Sequence, residues 1–586
     1  MVYNQGQKVV VVMWLYPFSE IYWGNFERQV KSRFQRMQQE QVVSRLFAKD
    51  YTLWKPSPEE ITNRLGWLDS PEQMKKEIKT LKAFAEELQK EGFRVACLLG
   101  MGGSSLAPEM FSKVFGKTEG FLDLLVLDST DPDWITYLEN KLPCENTMFI
   151  VSTKSGTTAE TLAFFRYFFH KLSQLKGKEA GRHFVAITDP GSPLEEIASR
   201  RLFRKTFLNN PDIGGRYSAL SFFGLVPASL LGIDLGKLLD KAILMREFCS
   251  SDNSECNPAV VLATYLGELA LLGRDKATFF FDPPSLSSFG DWIEQLIAES
   301  TGKEGKGILP VVTEKPLKPE DYGSDRTFIF IEDMESSLFR DFKEDLRRNG
   351  HPVLSLKIED FYDVGGLFFV WEMAVALAGH ILQINPFDQP NVESTKAFTR
   401  ALISDYVKEG KLSQEKPLFE EDGVSVFGNW PGSNCKEVMR NFVKEVNTGG
   451  YIAVQAFMAP FENTKRELEE IALLLQKISK VAVTIGFGPR FLHSTGQLHK
   501  GDAGKGIFLQ FLTENQNDMV IPELDTENCS SAVNRLTFSV LKKAQALGDR
   551  EALREAGRKV LGIQLERAED LLTVKEVLHA LLAEGR

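Results

Sequence analysis

The sequence predicts an α/β protein built from two doubly wound, three-layer α/β/α domains with helical segments at both ends. Three observations predict it. Short apolar runs recur along the chain; those of the first half end in Gly, Ser, Thr or Asp; and most are followed by a stretch of helical periodicity. Unbroken apolar runs of this length fit parallel strands buried on both faces, and their alternation with helices is the pattern of a doubly wound sheet.

Taken in order, residues 25–90 read as helices, with a Pro-punctuated linker at Lys55-Pro56-Ser57-Pro58. Before them, the apolar run 9–15 is too short to span a bilayer and lacks a basic leader or cleavage site, so it reads as a leader or stray strand rather than a targeting signal. The N-terminal helical segment is assigned to 1–90 and a first α/β domain to 91–250, with strands at 94–100, 122–128, 147–152 and 183–188. A second α/β domain is expected over 251–525, with strands at 277–281, 308–312, 327–331, 352–356, 451–456, 480–485 and 506–511. A polar interval at 411–446 reads as a loop insertion within it, and 526–586 as a helical tail.

Net charge is −11, which argues against nucleic acid or an anionic membrane surface as partner, since both attract cationic proteins. No segment reads as a membrane span. The six cysteines are scattered without a CxxC pair, as expected of a reducing, cytoplasmic compartment. Seven histidines without ligand spacing give no metal site, and no nucleotide-binding glycine motif occurs in its required setting, so no cofactor is expected.

Chemistry concentrates in a few segments. Gly100-Met101-Gly102-Gly103-Ser104-Ser105 follows a strand and precedes a helix; it is either a tight turn or a place where backbone approaches an anion. Ser152-Thr153-Lys154-Ser155-Gly156-Thr157-Thr158 packs five hydroxyls and a lysine around one glycine at the start of a helix. Hydroxyl and N–H donors there suit the oxygens of a phosphate monoester, whereas a helix cap needs only one such residue. Arg216, in Gly214-Gly215-Arg216-Tyr217-Ser218, is either a helix-capping cation or a permanent charge for a developing oxyanion. Glu299, in Ala298-Glu299-Ser300-Thr301-Gly302-Lys303, is a candidate general base. Lys396 ends the turn Asn385-Pro386-Phe387-Asp388-Gln389-Pro390-Asn391-Val392-Glu393-Ser394-Thr395, and His493 opens His493-Ser494-Thr495-Gly496-Gln497.

The 152–161 segment resembles the phosphate loop of sugar isomerase (SIS) domains, with Thr153 standing where their first serine is usual. Together, GGRYS, ESTGK, FDQPNVE and HSTGQ resemble the glucose-6-phosphate isomerase family over about 90–520. Leu53-Trp54-Lys55-Pro56 and Asn63-Arg64-Leu65-Gly66-Trp67-Leu68 are similar to the isomerase half of transaldolase–isomerase fusions. The resemblance implies flavodoxin-like SIS domains, a cytoplasmic homodimer, and a sugar phosphate as substrate. It implies that Gly103, Ser104, Thr153, Lys154, Ser155 and Thr158 line the phosphate site, that Arg216 stabilises an enediolate and that Glu299 is the base. His493 and Lys396 would then assist ring opening, with His499 as the neighbouring alternative and Gln497 facing the site. In most of the family the HSxGQ segment precedes FDQ; here it follows it. Other expectations on the same scaffold are an isomerase for another sugar phosphate, such as mannose 6-phosphate, or a non-catalytic sugar-phosphate sensor.

Overall fold

The computed structural model describes residues 16–413, 415–523 and 535–584, and among them sixteen strands form three sheets. Strand β1 (Phe18–Tyr22) is followed by β2 (Val95–Gly100), β3 (Asp123–Leu127), β4 (Thr147–Ser152), β5 (Phe184–Thr188) and β6 (Lys205–Leu208). The last five make an all-parallel sheet of order β3-β2-β4-β5-β6. β2, β4 and β5 are buried at every position, as their unbroken apolar runs predict. The order reverses between β2 and β4, and ligands of such sheets bind outside the strand ends at that point. Phenylalanines fill the layer beneath: Phe149 stacks on Phe168 and Phe184, and Phe165 packs edge-on against Phe184.

The next strands are β7 (Lys276–Asp282), β8 (Leu309–Val311), β9 (Arg326–Asp333) and β10 (Val353–Ile358). β1 pairs antiparallel with β10 and completes a second sheet, β1-β10-β9-β7-β8. The N-terminal helical segment thus contains a strand. Helices Pro258–Leu271 and Val364–Leu382 pack against each other in the core shared by these two sheets. The segment 361–382 is long and apolar enough to cross a membrane by composition, contrary to the expectation that none is. It is 94% buried inside the fold, where a helix apolar on all sides belongs.

The third sheet corrects the domain expectation. β11 (Phe419–Glu421), β12 (Val424–Phe427), β13 (Tyr451–Phe457), β14 (Ala482–Phe487), β15 (Gly506–Thr513) and β16 (Lys559–Leu565) run in the order β11-β12-β16-β15-β13-β14. Strands expected in one domain over 251–525 therefore divide between two sheets. The 411–446 interval holds a hairpin and the helix Cys435–Glu445 rather than a plain loop. The 526–586 tail supplies β16, central in the sheet, because Val560, Leu561, Ile563 and Leu565 find apolar cover there. The run 9–15 lies outside the described residues.

This third unit docks on both others. Ala298, Leu309 and Val311 share an apolar cluster with Tyr451, Ala482, Leu498 and Phe508. Phe538 of the helix Phe538–Glu555 stacks on Phe164 at 5.9 Å, and Lys542 of that helix pairs with Asp131 at 2.7 Å in the interior. That docking brings the loop after β14 to the strand ends of the first sheet.

Candidate active site

Two loops leave the first sheet at its reversal point. After β2, Gly102 has φ +53°, and a Cβ on Gly103 would sit 2.0 Å from the Gly215 carbonyl oxygen, so only glycine lets the two turns touch. Ser104 is buried, and its carbonyl accepts a bond from Ser152 Oγ at 3.3 Å. After β4, Thr153 Oγ1 and Thr158 Oγ1 lie 2.8 Å apart, Ser155 Oγ and Thr157 Oγ1 2.9 Å, and Gly156 takes φ +68°. Thr158 occupies the N-cap of the helix Ala159–Lys176 yet makes no side-chain cap bond. Its hydroxyl is turned into the loop and bonds Thr153 Oγ1 instead of capping the first turn. Lys154 points the other way: its ammonium pairs with Asp189 and donates to the Pro211 carbonyl at 2.8 Å. Burial raises the Asp189 carboxyl despite that pairing.

Arg216 is 3% exposed and makes no helix cap. Its Nε donates to Ser300 Oγ at 2.8 Å, Nη1 to Gln389 Oε1 at 3.0 Å, and Nη2 to the carbonyls of Pro386 at 2.7 Å and Asp388 at 3.0 Å. Nη1 also lies 3.1 Å from Glu299 Oε1, while Gln295 Nε2 donates to Glu299 Oε2 at 3.0 Å. Gln295 and Glu299 are one turn apart on the helix Ser287–Thr301, the spacing that puts two side chains on one face. Just beyond it, Lys303 donates to Asp388 Oδ1 at 2.7 Å. Burial, then the Arg216 charge, press the Lys303 pKa down to about 8.

His493 arrives from the third sheet, on the turn Arg490–His493 after β14. Its Nε2 is 3.1 Å from Glu160 Oε1, and its carbonyl accepts from Gln295 Nε2 at 2.8 Å. Burial pushes the Glu160 carboxyl up, but the charge and hydrogen bond of His493 outweigh it and Lys396 adds to them, so its pKa ends below the usual range. Lys396, on the helix Glu393–Glu409, is half exposed and pairs with Glu393 at 2.6 Å. His499 does not serve as the alternative. It is buried against Tyr451, Phe491 and Phe508, and burial, with Lys500 and Arg558 nearby, holds its pKa well below the usual value. Gln497 does not face the centre either; it ties Gly302 O at 2.9 Å to Asn391 Oδ1 at 2.7 Å and so joins the two turns.

Gly103, Ser104, Thr153, Ser155, Thr158, Arg216, Glu299 and His493 thus converge, with Lys396 at the margin and Lys154 turned outward. Gln295, Lys303, Gln389 and Glu160 also line or brace the site, and the sequence alone does not single them out. Three of these sit inside the motifs, and the signal for Gln295 is its place one turn before Glu299.

A doubly wound sheet with a hydroxyl-rich helix start at its reversal point and a buried guanidinium–carboxylate pair marks an α/β protein with a loop suited to an anion. Residues 71–310 match the phosphoglucose isomerase family. The chain is 31% identical to the glucose-6-phosphate isomerase of Carboxydothermus hydrogenoformans, covering 58% of this chain and 85% of that one. It is 30% identical to that of Staphylococcus saprophyticus, covering 58% and 86%. It belongs to the phosphoglucose isomerase family. Among solved structures it is similar to a hypothetical protein from Thermus thermophilus, with TM-score 0.57 and 26% identity over 66% of this chain and all of that one. It shares its fold with a glucose-6-phosphate isomerase from Chlamydia trachomatis, with TM-score 0.55 and 19% identity over 65% and 86% of the two chains.

Proposed function

We propose that the chain interconverts glucose 6-phosphate and fructose 6-phosphate, a step of glycolysis and gluconeogenesis, by proton transfer through an enediolate. The loop 153–158 and the helix start at Ala159 hold the phosphate, and this remote anchor positions the reacting carbons. Glu299 removes the proton from C2 and returns it to C1. Arg216 faces the same carboxylate and supplies fixed positive charge where negative charge develops on the sugar oxygens. His493, oriented by Glu160, moves the proton that opens the ring, and Lys396 assists from the rim.

The observation that carries this reading is the arrangement of Glu299 between Arg216 Nη1 and Gln295 Nε2, at 3.1 Å and 3.0 Å. A sensor of sugar phosphates needs the loop and neither of these groups. The protein acts in the cytoplasm as a homodimer, a reading supported by the family resemblance and, for location, by five free cysteines among the described residues. A coupled assay of fructose 6-phosphate conversion, run with EDTA, tests the function. Turnover that persists with chelator and is lost in Glu299→Gln supports it; tight substrate binding without turnover in the wild type overturns it.

A further inference from the structure

His493 is carried by a turn that belongs to neither of the sheets supplying the rest of the site. Its position depends on how the third unit is held against the other two. Three residues earlier on the same turn, the Arg490 guanidinium enters a nest of carboxylates drawn from both. Nη2 pairs with Glu109, on the helix Leu106–Phe115 that follows the Gly102–Ser104 turn. Nε lies 3.4 Å from Asp128 Oδ2, immediately after β3, and Nη2 lies 3.5 Å from Asp291 Oδ2, on the helix that carries Glu299.

Apart from the ion pairs, Phe491 of the turn packs on Phe457, Gln295 Nε2 donates to the His493 carbonyl at 2.8 Å, and Glu160 meets the His493 ring at 3.1 Å. Beside the guanidinium is a cavity of about 230 Å³, lined by Lys113, Trp134, Glu294, Phe487 and Ser494. The Arg490 ion pairs tie the cavity side of the turn to the other two units. None of the Arg490 partners touches the phosphate loop, whose hydroxyls bond one another and whose lysine pairs with Asp189.

We propose that Arg490 is the positioning residue for His493: by joining the third unit to the elements bearing the glycine turn and Glu299, it fixes the histidine where ring opening needs it. The inference rests on the role given to His493 above. Its consequence is selective. Turnover depends on Arg490, and binding of the phosphate group does not. A displacement of about 1 Å in a reacting group is worth roughly a hundredfold in rate.

The test is a double-variant cycle on the full chain with Arg490→Met, His493→Ala and the pair, reading kcat on fructose 6-phosphate and the inhibition constant of inorganic phosphate. The expected result is a kcat loss of roughly a hundredfold in Arg490→Met, little further loss when it is added to His493→Ala, and an unchanged phosphate constant. Arg490→Lys, which keeps the charge, recovers part of the rate. Losses that multiply in the double variant, or a phosphate constant that rises in step with the kcat loss, overturn the proposal and leave Arg490 a general structural residue. Unchanged kcat in Arg490→Met overturns it outright. Where Arg490→Met does not fold, Asp291→Asn is read in the same cycle by the same criteria. Normal turnover in His493→Ala would remove the underlying role of His493 instead, so the two failures are told apart.

Discussion

Arg216 and Glu299 face each other at 3.1 Å, and the arginine is the more firmly held of the two. Its remaining N–H groups are taken by Ser300 Oγ, Gln389 Oε1 and the carbonyls of Pro386 and Asp388. A guanidinium locked in this way cannot turn to follow a moving charge, so its field is set before the reaction begins. The carboxylate opposite is held by Arg216 and Gln295 and is 13% exposed. For the proposed reaction, this sets a fixed positive charge beside a carboxylate that is itself held by two donors.

Glu299→Gln keeps the shape and the bond to the Arg216 side but removes the proton acceptor. A positioned general base is worth about 10²–10⁴ in rate. The expected outcome is a kcat loss in that range with an inhibition constant for inorganic phosphate unchanged, because the 153–158 loop is untouched. Steady-state kinetics with phosphate as competitor checks it, and near-normal kcat would exclude Glu299 as the base.

Arg216→Lys retains the charge and abandons the fork. One ammonium cannot serve Ser300, Gln389, two carbonyls and Glu299 together, and each buried acceptor left unpaired costs about 1–3 kcal/mol. Both activity and stability are therefore expected to fall, kcat by about 10²–10³. Measuring kcat alongside thermal unfolding distinguishes this from a purely electrostatic role, in which lysine would preserve most of the rate and the fold would not notice.

Some of this architecture was legible in the sequence, and the reason differs element by element. β2 and β4 read as strands because a strand covered on both faces is apolar throughout, and their runs are short and end in turn residues. β16 did not: its run is interrupted by Gly562, whose Cβ position meets the Arg550 guanidinium at 2.5 Å, and it lies between charged helices. Periodicity identifies strands but not their partners, so the strands of 251–525 read as one domain yet fall in two sheets. At the site, Glu299, Arg216 and the hydroxyl loop were visible because they sit in dense local motifs. Arg490 was not, since it matters through Glu109, 381 positions away, and Glu160, though inside the hydroxyl-rich segment, matters through His493, 333 positions away. The late position of His493 followed the same logic: only the third unit's docking explains how it reaches Glu160.

The loop at 153–158 offers a test of phosphate binding against helix capping. A hydroxyl that caps a helix is worth about 0.5–2 kcal/mol of stability, and Thr158 makes no such bond. A hydroxyl donated to a charged phosphate is worth about 1.5–3 kcal/mol of binding. Thr158→Val removes the bond to buried Thr153, so a modest fall in unfolding temperature is expected, while KM rises about tenfold or more. A lowered unfolding temperature with normal KM would assign the threonine to the helix instead.

Glu294 provides a pH signature for the junction behind His493. Burial, then the neighbouring Asp291 charge, push its carboxyl up to about 8, against the opposing pull of Arg490 and Ser494. A carboxyl whose folded pKa lies above its unfolded one binds a proton that the unfolded chain has released, so folding is favoured at low pH. The sign follows directly: its contribution is fully present below the unfolded value of about 4.5 and is lost as pH rises through about 8. Asp128, raised by burial to about 6, acts in the same direction at lower pH, so the wild-type slope alone does not isolate Glu294. Glu294→Gln does, because glutamine fills the same space and never ionises. Thermal unfolding followed from about pH 5 to about pH 7.5, below the titration of Lys303, is expected to show a falling midpoint in the wild type and a shallower fall in the variant, the curves separating most at the upper end. Parallel curves would mean that Glu294 ionises at its ordinary value in the folded protein.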